Sequence, residues 1–63
     1  MGDFSAVYVK LDGPNETDLG QHVLRANTIK AAIREARARA PQDANSIKIC
    51  QEGEIVCRIL VRL

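Results

Sequence analysis

Ser46-Ile47-Lys48-Ile49-Cys50-Gln51-Glu52-Gly53-Glu54-Ile55-Val56-Cys57-Arg58-Ile59-Leu60-Val61-Arg62-Leu63 reads as two β-branched strands around a turn at Gly53. The register across that turn decides which residues can form a core. Side chains alternate between faces along a strand, so a one-residue slip moves a whole apolar set to the other face. In a regular ladder, a two-residue loop at Glu52-Gly53 sets Ile47 and Ile49 on the same face as Val56 and Arg58, which divides the apolar residues. A three-residue loop with Gly53 in the left-handed conformation pairs Cys50 with Glu54 and gathers Ile47, Ile49, Ile55, Cys57, Ile59 and Val61 on one face. That second register is the expectation. It points Cys57 to the core and Cys50 away from it, so two free thiols are expected rather than a bridge.

Working towards the N-terminus, Pro41 halts a run of good helix formers, and the helix is expected over 28–40 with Asn27 as its cap. Ile29, Ala32, Ile33, Ala36 and Ala40 follow the spacing of one apolar stripe, and the small alanines allow close approach to a sheet. Residues 4–11, Phe-Ser-Ala-Val-Tyr-Val-Lys-Leu, are a first strand that stops at the turn signal Asp12-Gly13-Pro14-Asn15. Residues 13–20 read as a polar, acidic loop and residues 21–26 as a short second strand.

The fold class expected is therefore α+β, as one small domain over residues 1–63: ββαββ, a four-stranded sheet with one helix packed on one face. The first and last strands are the longest and apolar on both faces, which assigns them to the centre and gives the order 2-1-4-3. With those two strands parallel, the arrangement resembles the β-grasp architecture of ubiquitin-like domains in its order of elements. Ubiquitin-like modifiers and sulfur carriers act through a Gly-Gly tail, whereas this sequence closes on Val61-Arg62-Leu63 inside an apparent strand. Conjugation and sulfur transfer are accordingly not expected. The element order is also similar to that of short bacterial proteins and some antitoxin-like domains.

Composition narrows the function classes. The chain has 63 residues, a net charge of +1, one Phe, one Tyr and no Trp, so its core is aliphatic and its stability margin thin. No apolar run approaches the roughly 18 residues needed to cross a bilayer, and a cytoplasmic location is expected, with no membrane partner. Catalysis needs a base or nucleophile held beside a partner in a pocket, and one helix on four strands leaves little room for a pocket. His22 is the sole histidine and reads as an edge-strand residue. Cys50 and Cys57 are seven apart, unlike C-x-x-C. Asp12, Asn15, Glu16 and Asp18 lack the alternate spacing of a calcium loop. No enzyme activity, catalytic residue, cofactor, metal or small-molecule substrate is expected.

Binding is the remaining class. If Val7, Val9 and Leu11 face the helix, then Phe4, Tyr8 and Lys10 face outward from the first strand, with Lys48, Val56, Arg58, Leu60 and Arg62 from the last two. An uncovered apolar patch with a basic rim marks an interaction surface. The expected function is a small interaction module or regulator, of bacterial or phage-like kind, that binds a protein partner or itself as a homodimer. The alternative is nucleic-acid binding, with Phe4 and Tyr8 stacking on bases and the basic residues taking phosphates. Lys30, Arg34 and Arg37 form a secondary basic stripe along one flank of the helix.

Overall fold

Asp12-Gly13-Pro14-Asn15 makes a tighter reversal than its acidic surroundings imply. Strand β1 (Phe4–Asp12) turns directly into β2 (Asn15–Val23), with Asp12 opposite Asn15 and only Gly13-Pro14 between them. Gly13 has φ +61° and proline holds φ near −65°. That combination fits a II′ hairpin turn, whose twist matches that of the flanking strands. Residues 15–20, read from sequence as a loop, are therefore strand. A bulge at Leu19, between Asp18 opposite Val9 and Gly20 opposite Tyr8, turns Leu19 towards the core.

The computed structural model describes residues 3–61. After β2 come helix α1 (Ile29–Arg39), β3 (Ser46–Gln51) and β4 (Glu54–Leu60). Together they form one four-stranded sheet with a single helix over β1 and β3, an α+β arrangement. The strand order is β2-β1-β3-β4, and every neighbouring pair is antiparallel. This corrects the expected order 2-1-4-3 and with it the likeness to the β-grasp, which places the first and last strands side by side and parallel. Strand length misled. Six-residue β3 is central because Ile47 and Ile49 are fully enclosed, whereas the longer, apolar β4 lies at an edge.

The chain leaves the sheet where the Leu24 N–H donates to the Phe4 carbonyl (2.8 Å) and returns at Asn45, at the opposite end of β1. Asn45 sets that return. Its side-chain amide accepts from the Leu11 N–H (2.7 Å) and donates to the Leu11 carbonyl (2.9 Å), while its own N–H donates to the Val9 carbonyl (3.1 Å). The amide so extends the β1–β3 ladder by one position.

Thr28, not Asn27, caps α1: its hydroxyl accepts from the Ala31 N–H at 3.2 Å. Ala32 and Ala36 are enclosed and Ile33 and Ala40 pack at the margin of the core, but Ile29 is exposed. The core is Phe4, Ala6 and Tyr8 from β1, with Leu24, Ala32, Ala36, Ala44, Ile47 and Ile49. Beneath an alanine stripe, rings fill a space that valines would leave open. The inward residues of β1 are therefore Phe4, Ala6 and Tyr8, the opposite of the expected set.

The β3–β4 turn differs from expectation in its length and agrees in its main result. Gln51 pairs with Glu54, so the loop is Glu52-Gly53, with φ +54° and +82°. Positive φ at both positions fits a I′ turn. The divided core that this loop implies is avoided by a bulge: Cys50 pairs with Ile55, Ile49 with Cys57, and Val56 is the extra residue. Ile47, Ile49, Cys57 and Ile59 so share the helix side. Ile55 and Val61 part from the expected set, with Ile55 on the face of Cys50 and exposed and Val61 beyond the end of β4. Cys50 and Cys57 are free.

Candidate interaction surface

Because β1 turns its rings inward, the face of the sheet away from α1 carries the other parity. Following the paired residues across all four strands gives three rows on that outer face. The first is Val23, Ser5, Cys50 and Ile55; the second is Gln21, Val7, Lys48 and Arg58; the third is Asp18, Val9, Ser46 and Leu60. Leu11 and Glu16 extend it at the β1–β2 end. Leu60 is 67% exposed and Val23 65%, with Leu11, Ile55 and Val56 also open. The helix packs over β1 and β3 from the opposite side of the sheet.

Two residues of the third row are nonetheless enclosed, Val9 at 1% exposed and Ser46 at 6%. Lys48 reaches across β1 to Glu16, with Nζ to Oε2 at 2.6 Å. In the register, Lys48 is opposite Val7 and Glu16 opposite Leu11, so the ion pair crosses the strand over Val9. The lysine stem covers an apolar side chain while its ammonium finds a carboxylate. Arg58, in the same row as Lys48, has no ion-pair partner among the described residues.

The helix side carries a polar cluster. The Tyr8 hydroxyl donates to the Ala36 carbonyl at 3.2 Å and lies 3.5 Å from Nε2 of His22, whose ring centroid is 5.4 Å from that of Tyr8. Ala36 begins the last turn of α1, where carbonyls lack intrahelical donors, and the Ala40 N–H turns back to Arg37 instead. Burial pushes the Tyr8 pKa up from its ordinary value; the Arg39 charge opposes this and the Glu35 carboxylate adds to it. Glu35 accepts from the Arg25 N–H (3.0 Å) and approaches Arg39 (3.9 Å), fastening the β2–α1 connection to the helix. These contacts are accounted for by packing and helix termination.

The expected site residues scatter accordingly. Phe4 (7% exposed) and Tyr8 (4%) are in the core, which corrects their assignment to an open face. Lys10 is exposed but has the parity of Tyr8, on the helix side, opposite Thr17. Lys48, Arg58 and Leu60 do share the outer face, and Val56 is open at its bulge. Arg62 lies outside the described residues. Lys30, Arg34 and Arg37 are all exposed on α1, remote in the fold from the outer face. Sequence reasoning missed Val23, Leu11 and Glu16 on that face; the Gly13-Pro14 turn signals Glu16 opposite Leu11, whereas Val23 reaches the face only through the bulge at Leu19.

Among the described residues, no group of three or more His, Cys, Asp or Glu is placed to hold a metal ion, and no helix is long and apolar enough to cross a membrane. No protein-family model, curated protein or solved structure matches the chain.

Proposed function

We propose that this chain is a non-enzymatic interaction module that binds a protein partner through the outer face of its sheet. The observation that carries the reading is the exposure of Val23, Leu60 and Ile55 on the face of the sheet away from α1. Exposed aliphatic side chains gathered on one face, with charged groups among them, are the composition of a docking surface. The nucleic-acid alternative relied on Phe4 and Tyr8 as stacking platforms; both rings are buried, and among the described basic residues of that proposal Lys48 and Arg58 are on the face, with Lys48 paired to Glu16.

Two double variants test the proposal. Val23→Lys with Leu60→Lys alters the outer face; Lys30→Glu with Arg34→Glu alters the helix. The first is expected to abolish complexes isolated from the cells that make the protein while leaving its unfolding free energy within about 0.5 kcal/mol, as for other surface changes. The second is expected to leave the complexes intact. Complexes that survive the first and fail with the second contradict the proposal.

A further inference from the structure

Resting on that reading, we infer that the partner is a second copy of this chain, stacked outer face to outer face about a two-fold axis parallel to the strands. Charge decides between the two ways of stacking this face on itself. On β2 the outer column is Val23, Gln21, Asp18 and Glu16; on β4 it is Ile55, Arg58 and Leu60. A dyad along the strands lays β2 of one copy over β4 of the other. Arg58 then meets Gln21 of the second copy, Val23 meets Ile55 and Leu60 meets Asp18, so the Asp18 carboxylate lies one row from Arg58. A dyad across the strands, centred on the middle row, lays β4 over β4 and sets Arg58 against its own copy. Like charges across an interface are costly and opposite charges fix its register.

The centre of the face suits closure on itself. Lys48 is satisfied by Glu16 within each copy, so its charge enters the interface already paired. Four strands at about 4.8 Å spacing and about seven residues at about 3.3 Å give each copy a face of roughly 19 by 23 Å. Two such faces bury roughly 900 Å² before side-chain relief is counted, below the 1,200 to 2,000 Å² of stable interfaces. An interface of that size belongs with weak, reversible contacts.

Sedimentation equilibrium of the full chain from about 20 μM to 1 mM tests this, with mass expected to rise from 6.9 kDa towards twice that value. Gln21→Glu is expected to tighten the dimer about 3- to 10-fold and Gln21→Lys to weaken it by at least as much. Arg58→Glu is expected to weaken it, and Arg58→Glu with Gln21→Lys in one chain to restore it. A strict monomer at 1 mM overturns the inference, yet leaves the face free for a different protein, which the variants at Val23 and Leu60 test separately. A dimer insensitive to Gln21, in which wild type and Arg58→Glu pair with each other more tightly than with themselves, also overturns it, because that is the signature of the crossed dyad.

Discussion

The hydroxyl of Tyr8 donates to the carbonyl of Ala36 at 3.2 Å, tying the central strand β1 to the last turn of the only helix among the described residues. Tyr8 belongs to the inward parity of β1 with Phe4 and Ala6, which leaves Ser5, Val7 and Val9 on the outer face. Tyr8→Phe keeps the ring and removes the donor, leaving an enclosed helix-end carbonyl unpaired. A loss of about 1 to 2 kcal/mol is expected in urea unfolding. Unchanged stability would show that another group serves Ala36.

Tyr8 also sets an alkaline limit. Its pKa is raised above 10.0 by burial, so the folded state retains the phenol proton at a pH where the unfolded chain gives it up. The stabilisation is complete below the unfolded value and is lost as pH rises from about 10 through the folded value. As the only tyrosine, it reports directly: the tyrosinate absorbance of the folded protein is expected to titrate above that of the urea-unfolded chain. In Tyr8→Phe, the part of the alkaline stability loss due to this group should vanish.

Glu52 and Gly53 both have positive φ, a conformation that glutamate adopts at a cost of about 1 to 2 kcal/mol. Glu52→Asn gives the Asn-Gly pair favoured in I′ turns and is expected to raise stability by about 0.5 to 1 kcal/mol. Gly53→Ala is expected to lower it by about 1 kcal/mol. An added Cβ at Gly53 meets no atom within 4 Å, so the change isolates backbone strain. Thermal melts of the two variants moving in the same direction would refute the turn assignment.

The Lys48–Glu16 pair is half open to water, with side-chain exposures of 19% and 43%. A double-mutant cycle with Lys48→Met and Glu16→Gln is expected to give a coupling of about 0.5 to 1 kcal/mol, diminishing as salt is raised. A coupling of zero at low salt would mean that Val9 is covered by the lysine stem alone.

The sequence made the elements legible and left their faces ambiguous, for identifiable reasons. Alternation in β1 offers two apolar parities, Phe4-Ala6-Tyr8 and Val7-Val9-Leu11. Only the bulk required beneath Ala32 and Ala36 chooses between them, and that is a property of packing. In the β3–β4 hairpin, the need to unite Ile47, Ile49, Cys57 and Ile59 was correct, but a bulge at Val56 met it where a longer loop was expected. The strand order followed the enclosure of Ile47 and Ile49 rather than strand length, and nothing in a polar linker announces that the Asn45 amide continues the β1–β3 ladder. Of the expected outward residues, Arg58 and Leu60 were legible because the parity of β4 beyond its bulge was read correctly, and Lys48 because it alternates with the enclosed Ile47 and Ile49.

The most direct test of the outer face as a binding surface is a photo-crosslinking residue at position 60, compared with one at position 34 on the exposed side of the helix, in the cells that make the protein. Adducts from position 60, with none from position 34, are the predicted result. Adducts from position 34 with none from position 60 would contradict it and place the binding surface on the helix.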